Sequence, residues 1–291
     1  TDGYRQNNRF ERDGVLLNTT FQLAEKSSLS YVLNYIDYTA YIASSINQTD
    51  FEEDPKRAAS NWLAAKGFEA NNYVLTGLSH TYQFSDKLKN TTSIFYTYLD
   101  HYEPRPFNIL DEFTNGFGFR SQFERQWGTG TYVLGTELYK DEYHWGTFQN
   151  LYAENNGNGS LKGDQLSRNT EFRRQFNLFG SLTYPLSTRF SAQLGLNLNK
   201  THYRFNDLFN TGDANTSATR NFDAILLPNL GLRYTLTNGQ LYANVSRGFS
   251  NPSLEESLTP EGIINPDIAQ ETGTNYELGG QFAWLNKKLT V

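Results

Sequence analysis

The 291 residues include no cysteine and no methionine. Without cysteine there is no disulfide framework, no thiol nucleophile and no thiolate metal site, as suits a protein exported to the bacterial envelope. Aliphatic residues are scarce too: all apolar types together make up 37%, too little to fill a conventional soluble core. No run of roughly 18 apolar residues occurs, which excludes a helical membrane span. The 25 basic residues are outnumbered by 31 acidic ones, and a net charge of −6 argues against a nucleic-acid binder, which needs a basic surface. No phosphate-cradling Gly-Lys motif, Ser/His/Asp order or zinc-ligand spacing stands out. The chain is therefore not expected to be an enzyme, nor to hold a cofactor or a metal of its own. A basic, apolar, small-residue leader is missing, and the last residues, Leu289-Thr290-Val291, look like the start of a strand. The chain reads as an internal piece of a longer polypeptide. What is plentiful is aromatic: 19 Tyr and 21 Phe, recurring in a pattern that speaks against disorder.

That pattern is the period-2 alternation of half-buried strands. Over 189–200 one face carries Phe190, Ala192, Leu194, Leu196 and Leu198, and the other Ser191, Gln193, Gly195, Asn197 and Asn199. The same split runs through 116–127, 224–236 and 276–284. It is weaker over 14–24, 28–42, 72–84, 90–102, 131–145, 171–184 and 240–248. This makes about eleven strands, many of them twice the usual soluble length of roughly 5–6 residues. Short connectors at 25–27, 85–89, 128–130, 185–188, 237–239 and 286–288 alternate with long ones at 43–71, 103–115, 146–169, 206–221 and 249–272. A soluble sandwich or up-and-down barrel has no reason to sort its connectors by end. A transmembrane antiparallel β-barrel does, with tight turns on one side and long loops on the other. The expected fold class is thus all-β, with apolar rings toward lipid and polar residues toward a lumen. Eleven or twelve strands ending at a broken edge favour a fragment of a larger barrel, because hydrocarbon does not tolerate unpaired edges.

Several stretches resemble TonB-dependent outer-membrane receptors of the iron-complex branch. One is Asn251-Pro252-Ser253-Leu254-Glu255-Glu256, followed by Asn265-Pro266-Asp267-Ile268, Glu271-Thr272 and Asn275-Tyr276-Glu277-Leu278-Gly279. Others are 103–110 (Glu103-Pro104-Arg105-Pro106-Phe107-Asn108-Ile109-Leu110), 55–67 with Ala58, Ala59 and Trp62, and the opening Asp2-Gly3-Tyr4-Arg5. The resemblance implies a 22-stranded barrel filled by an N-terminal plug, of which 1–291 would be a partial barrel without plug or final strands. It implies a receptor in the bacterial outer membrane that imports a ferric siderophore or a ferric citrate-like chelate. The TonB-ExbB-ExbD complex would supply energy through the plug. Importers of glycans, haem or cobalamin, or a passive porin, are the alternatives.

Strand parity turns Arg120, Glu124, Glu137, Asp141, Arg173, Arg233 and Glu277 inward. Ferric chelates are anionic or oxygen-rich, and arginine forks suit carboxylates. Arg120 and Arg173, read as lying near extracellular strand ends, and Arg105, read as a loop residue, lead the ligand candidates. Glu137, Asp141 and the inward Tyr143 and Tyr203 complete them. Pairing of these charges with one another is the competing expectation. His101 faces inward but His144 and His202 outward, so they form no haem or metal site. Tyr132, Tyr184 and Tyr234 fall on the lipid side as girdle residues. Residues 54–67 carry helix punctuation, with Asp54 as N-cap, Pro55 in the first turn and Gly67 past the end. They are expected to pack on the rim or to act as a lid. Asn155–Gly159 lacks the alternating acids of a calcium loop and is expected to be a mobile tip.

Overall fold

The computed structural model describes residues 1–252, 265, 267–286 and 288–291. Every alternating segment becomes a strand: β1 (Phe10–Ala24), β2 (Ser27–Tyr41), β3 (Phe68–Ser85), β4 (Leu88–Arg105), β5 (Asn108–Trp127), β6 (Gly130–Asn150), β7 (Lys162–Pro185) and β8 (Phe190–Asp207). There follow the short β9 (Ala218–Asn221), then β10 (Ile225–Leu236), β11 (Gly239–Ser250), β12 (Glu271–Trp284) and β13 (Leu289–Thr290). Each strand pairs antiparallel with the next along one sheet, and β9 is added to the far end of β8. Among the described residues β1 pairs only with β2, and β13 only with β12. The sheet is therefore an open, barrel-like wall.

Register preserves the two faces across the whole wall. Phe119 stands opposite Leu138, Leu138 opposite Phe176, and Leu194 opposite both Leu182 and Leu230. This outward face stays exposed, with Phe117, Leu134, Leu138, Leu194, Leu196, Leu226 and Leu278 all uncovered. On the inward face two small residues make room for large ones. The Phe95 ring lies over Gly118, and the Phe179 ring over Gly135, where a Cβ would collide with the ring.

The strands are longer than the sequence suggests, and the connectors differ accordingly. Residues 103–115 were expected as a long loop, but β4 and β5 continue through them to a two-residue turn at Pro106-Phe107. Pro106 suits that turn, while Pro104 is buried within the hairpin opposite Ile109. The alternation vanishes here because the hairpin has cleared the apolar layer, where lipid no longer requires every second residue on one face to be apolar.

The helix expected over 54–67 is two short helices, α1 (Gln48–Glu53) and α2 (Ser60–Ala65). Asn47 caps α1, accepting the Asp50 N–H at 2.8 Å, whereas Asp54 ends it. Lys66, rather than Gly67, takes the left-handed conformation after α2, at φ 50°. Ala58, ahead of α2, and Ala65, at its end, are both buried. The β6–β7 loop packs against this insert: Ser160 donates to the Ala65 carbonyl at 2.7 Å, and Asn155 donates to the Gly159 carbonyl at 3.0 Å. The tip expected to be mobile is tied down. Asn150 links the same loop to the β4–β5 hairpin by donating to the Arg105 carbonyl at 2.9 Å.

Candidate functional site

The inward face of β5–β8 carries two rows of candidate residues at different heights. In the lower row Arg120 faces Glu137, Glu137 faces Asn177, and Asn177 faces Asn199. The Arg120–Glu137 pair is loose, with a single contact of 3.5 Å and 47% of the arginine side chain exposed. The guanidinium lies 4.7 Å from the Phe179 ring centre, so the glycine-seated ring sets its position. From Glu137 a chain of amides climbs the wall. Asn177 donates to Glu137 at 3.3 Å, Asn199 to Asn177 at 2.8 Å, and Thr201 to Asn199 at 2.9 Å. Asn251 then donates to Thr201 at 3.3 Å, and Gln270 to Asn251 at 2.7 Å.

The upper row lies four residues further along each strand, about 13 Å at roughly 3.3 Å per residue. Asp141 faces Arg173, Arg173 faces Tyr203, and Tyr203 faces Arg220. Arg173 holds one Asp141 oxygen with two nitrogens, Nε at 2.9 Å and Nη2 closer, and that carboxylate is only 5% exposed. Its guanidinium lies 6.0 Å from the Tyr203 ring centre, and Tyr203 meets Phe222 edge-on at 5.2 Å. Arg220 caps Phe222 at 4.6 Å and donates to the Asn265 carbonyl at 3.0 Å. One step higher, Tyr143 donates to Glu112.

Arg105 belongs to neither row. It is the last residue of β4, twelve residues beyond Ser93, which faces Arg120. It donates to Asn108 at 2.8 Å, pairs with Glu103 at 3.5 Å and covers the Phe107 ring. Neither Arg120 nor Arg173 lies near an extracellular strand end, where both were expected: β5 runs on to Asn108 and leaves Arg120 in its lower half, and β7 begins at Lys162, eleven residues from Arg173. The expected mutual pairing of charges holds for Arg105, Arg120 and Arg173, and Glu124 likewise pairs with Lys89 at 3.1 Å. The histidines do not converge. His101 takes Asn71 at 2.9 Å on the inward face, while on the outward face His144 takes Glu142 at 2.7 Å and His202 takes Asn221 at 2.6 Å. Among the described residues no three His, Asp or Glu side chains cluster as metal ligands.

A family profile described as "TonB dependent receptor-like, beta-barrel" matches residues 3–291. The chain belongs to that family. The barrel accordingly sits in the bacterial outer membrane, with its short turns periplasmic, its long loops extracellular and its exposed apolar face in lipid. No curated relative matches in sequence. Solved structures similar to the chain include the ferric citrate transporter FecA, in its unliganded form, at TM-score 0.76 and 15% identity over 96% of this chain and 42% of that one. The siderophore receptor PiuA from Acinetobacter baumannii gives 0.71 and 14% over 98% and 49%, and the copper transporter OprC 0.72 and 15% over 96% and 44%. At these identities the likeness is one of fold. The chain spans less than half the length of each.

The receptor barrel gives the two rows a height. A tilted strand crosses hydrocarbon in about 9–11 residues. Arg120 and Glu137, seven residues from the periplasmic strand ends Trp127 and Gly130, lie at membrane depth. Arg173 and Tyr203, twelve and thirteen residues from Pro185 and Phe190, stand at its extracellular margin. The family stretch Asn275–Gly279 falls in β12, with Tyr276 and Leu278 exposed to lipid and Glu277 inward, accepting from Tyr242 at 3.3 Å. Residues 253–256 and Pro266 of the same motif lie outside the described residues.

The amide chain was missed as a candidate. Asn197 and Asn199 were visible on the polar face, but an uncharged amide carries no ligand signature in sequence. Asn197 Oδ1 and Asn71 Nδ2 are buried without a hydrogen-bond partner, which marks the wall as polar beyond its own needs. Above the wall, Asp207 organises the β8–β9 loop. Burial pushes its carboxyl up, but hydrogen bonds from Asn210, through backbone and side chain, and from the Phe209 and Thr216 amides outweigh this and hold it at about 2.

Proposed function

We propose that this chain forms part of the wall of a receptor that captures an anionic ferric chelate, siderophore or ferric citrate-like, and imports it. The carrying observation is the inward wall of a TonB-dependent receptor barrel, where arginines, tyrosines and partner-poor amides face the lumen. The ferric citrate transporter FecA and the siderophore receptor PiuA share the fold. OprC is a copper transporter, but a bare copper ion favours sulfur and imidazole ligands. This chain contributes no cysteine or methionine. The open edges at β1 and β13 call for further strands, since lipid satisfies no backbone group. A plug linking the lumen to the TonB-ExbB-ExbD complex completes the proposal, and the protein acts as a transporter without catalysing a reaction.

Arg105, at the hairpin tip, first meets the chelate. Arg173, Tyr203, Asp141 and Tyr143 form the extracellular margin of its seat. Arg120 and Glu137 offer an exchangeable pair on the way inward: an arriving carboxylate can replace Glu137 without unmaking a buried contact. The test is a ligand-quenching titration of the full-length receptor against ferric siderophores, ferric citrate, haem, cobalamin and copper. Tightest binding of an anionic ferric chelate, weakened about tenfold by Arg105→Glu or Arg120→Glu, is expected from loss of a charge-assisted contact. Unchanged binding by a correctly folded variant removes that arginine from the site. Tightest binding of copper, haem or cobalamin refutes the ferric reading.

A further inference from the structure

Arg105 shares its acid with a second positive group. Glu103 Oε2 lies 3.5 Å from an Arg105 nitrogen and 3.8 Å from His101 Nε2, so two cations compete for one oxygen. All three side chains are mostly covered, at 14%, 17% and 21% exposure for His101, Glu103 and Arg105. Salt therefore screens them less than it screens an open surface pair.

Asn71 fixes the imidazole from the other side. His101 Nδ1 donates to Asn71 Oδ1 at 2.9 Å, and an amide oxygen only accepts, so Nδ1 carries a proton in either charge state. The nitrogen that gains or loses the second proton is Nε2, which faces Glu103. Neutral, it turns a lone pair toward a carboxylate; protonated, it presents a cation. Asn71 is itself buried, which holds the ring in place.

The strands around the ring favour the charged form. Glu69 of β3 accepts from Tyr38 of β2 at 3.2 Å. Glu112 of β5 faces His101 and accepts from Tyr143 of β6. Glu103 foremost, with Glu112 and Glu69 behind it, raises the imidazole above its ordinary 6.5 against the opposing effect of burial. Thirteen residues from Leu88, His101 stands past the roughly 9–11 that cross hydrocarbon.

We propose that His101 is a positioning residue for Arg105: protonated, it takes Glu103 and leaves the guanidinium to an anionic ligand, and neutral, it returns Glu103 to Arg105. His101, Glu103 and Arg105 together carry one net positive charge in the first state and none in the second. Capture of an anion at the hairpin tip is therefore strengthened as pH falls through the His101 midpoint. This rests on the reading of Arg105 as the first contact of a ferric chelate.

The test titrates ferric citrate into the full-length receptor at about pH 6 and about pH 8.5. At the lower pH the wild type should bind about threefold more tightly than H101Q, the size of one partly exposed charge pair. At the higher pH the two should bind equally. E103Q should bind tightly at both, so the two substitutions flatten the pH profile at opposite levels. Any titration of ferric citrate itself is common to all variants and cancels between them. NMR of the histidine-labelled receptor, with the His101 signal assigned by its loss in H101Q or H101N, reads the coupling without a ligand. There E103Q should lower the His101 midpoint and R105Q raise it. These midpoints carry the test if H101Q does not fold, judged by heat-modifiable migration. A folded H101Q with the wild-type profile, an E103Q as weak as H101Q, or a midpoint unmoved by both E103Q and R105Q overturns the proposal. A wild type that binds no ferric citrate at either pH counts against the ferric citrate reading alone, and the midpoints then decide the role of His101.

Discussion

Arg120 and Arg173 stand on the same inward wall, each opposite an acid, yet they are held differently. Arg173 grips a carboxylate that is almost fully buried, through two nitrogens, against Tyr203. Arg120 touches Glu137 at 3.5 Å and keeps half its surface in the lumen, resting on Phe179. A buried acid stripped of its partner is costly, whereas an exposed pair contributes little. The upper row is therefore held firmly and the lower row loosely. An arginine's face and charge say nothing of this difference, which lies in the burial of its partner.

Asp141→Ala tests the comparison with the largest expected effect. It leaves Arg173 half-buried without its acid and should cost about 2 kcal/mol, below the roughly 3–5 of a fully buried pair because the arginine is partly solvated. A thermal melt of the full-length receptor reads this as a lower Tm. An unchanged Tm would mean that the upper row is no more fixed than the lower. Gly135→Leu should follow at about 1–3 kcal/mol, since the Phe179 ring must leave its seat. Arg120 then loses its platform, and ferric-chelate affinity should fall with the Tm; retained affinity would show that the ring does not position Arg120.

Asp207→Ala should release the loop over 208–217 at about 1–2 kcal/mol, the loss of hydrogen bonds to a charged group. Hydrogen exchange across that loop is the measurement. Because the folded carboxyl is held at about 2, below its ordinary 3.8, its contribution is present above pH 4 and is lost as pH falls from there through 2. Loop protection that instead declines on moving from pH 5 to pH 7 would contradict this. Arg120→Ala is the smallest in stability, within about 0.5 kcal/mol, while chelate affinity drops about tenfold. A Tm loss as large as that of Asp141→Ala would dissolve the distinction between the rows.

Much of the wall was legible because lipid enforces it. Where β8 and β10 cross hydrocarbon, every second residue must be apolar, so Leu194, Leu196, Leu226 and Leu230 announce both strand and face. The same rule lapses beyond the bilayer. Residues 103–115 lost their alternation, and two prolines made a continuing hairpin look like a loop. That error moved the apparent end of β5 and placed Arg120 too high. In the 42–67 insert the cap signals were real but double: Asn47, not Asp54, begins a helix, because Asp54 and Pro55 serve the turn between two short ones.

The sequence alone determined the two-faced, membrane-spanning β-wall, its family likeness and which candidates face inward, because a strand's parity is written in its own residues. Tertiary structure decided height and company. Asp141, Arg173 and Tyr203 lie 62 residues apart at most, and only the β6–β7 and β7–β8 registers bring them level. The same register gathers Lys140, Arg174, Lys200 and Arg204 on the lipid side. A charge can be read from one residue, but its partner depends on which strand lies beside it and at what offset.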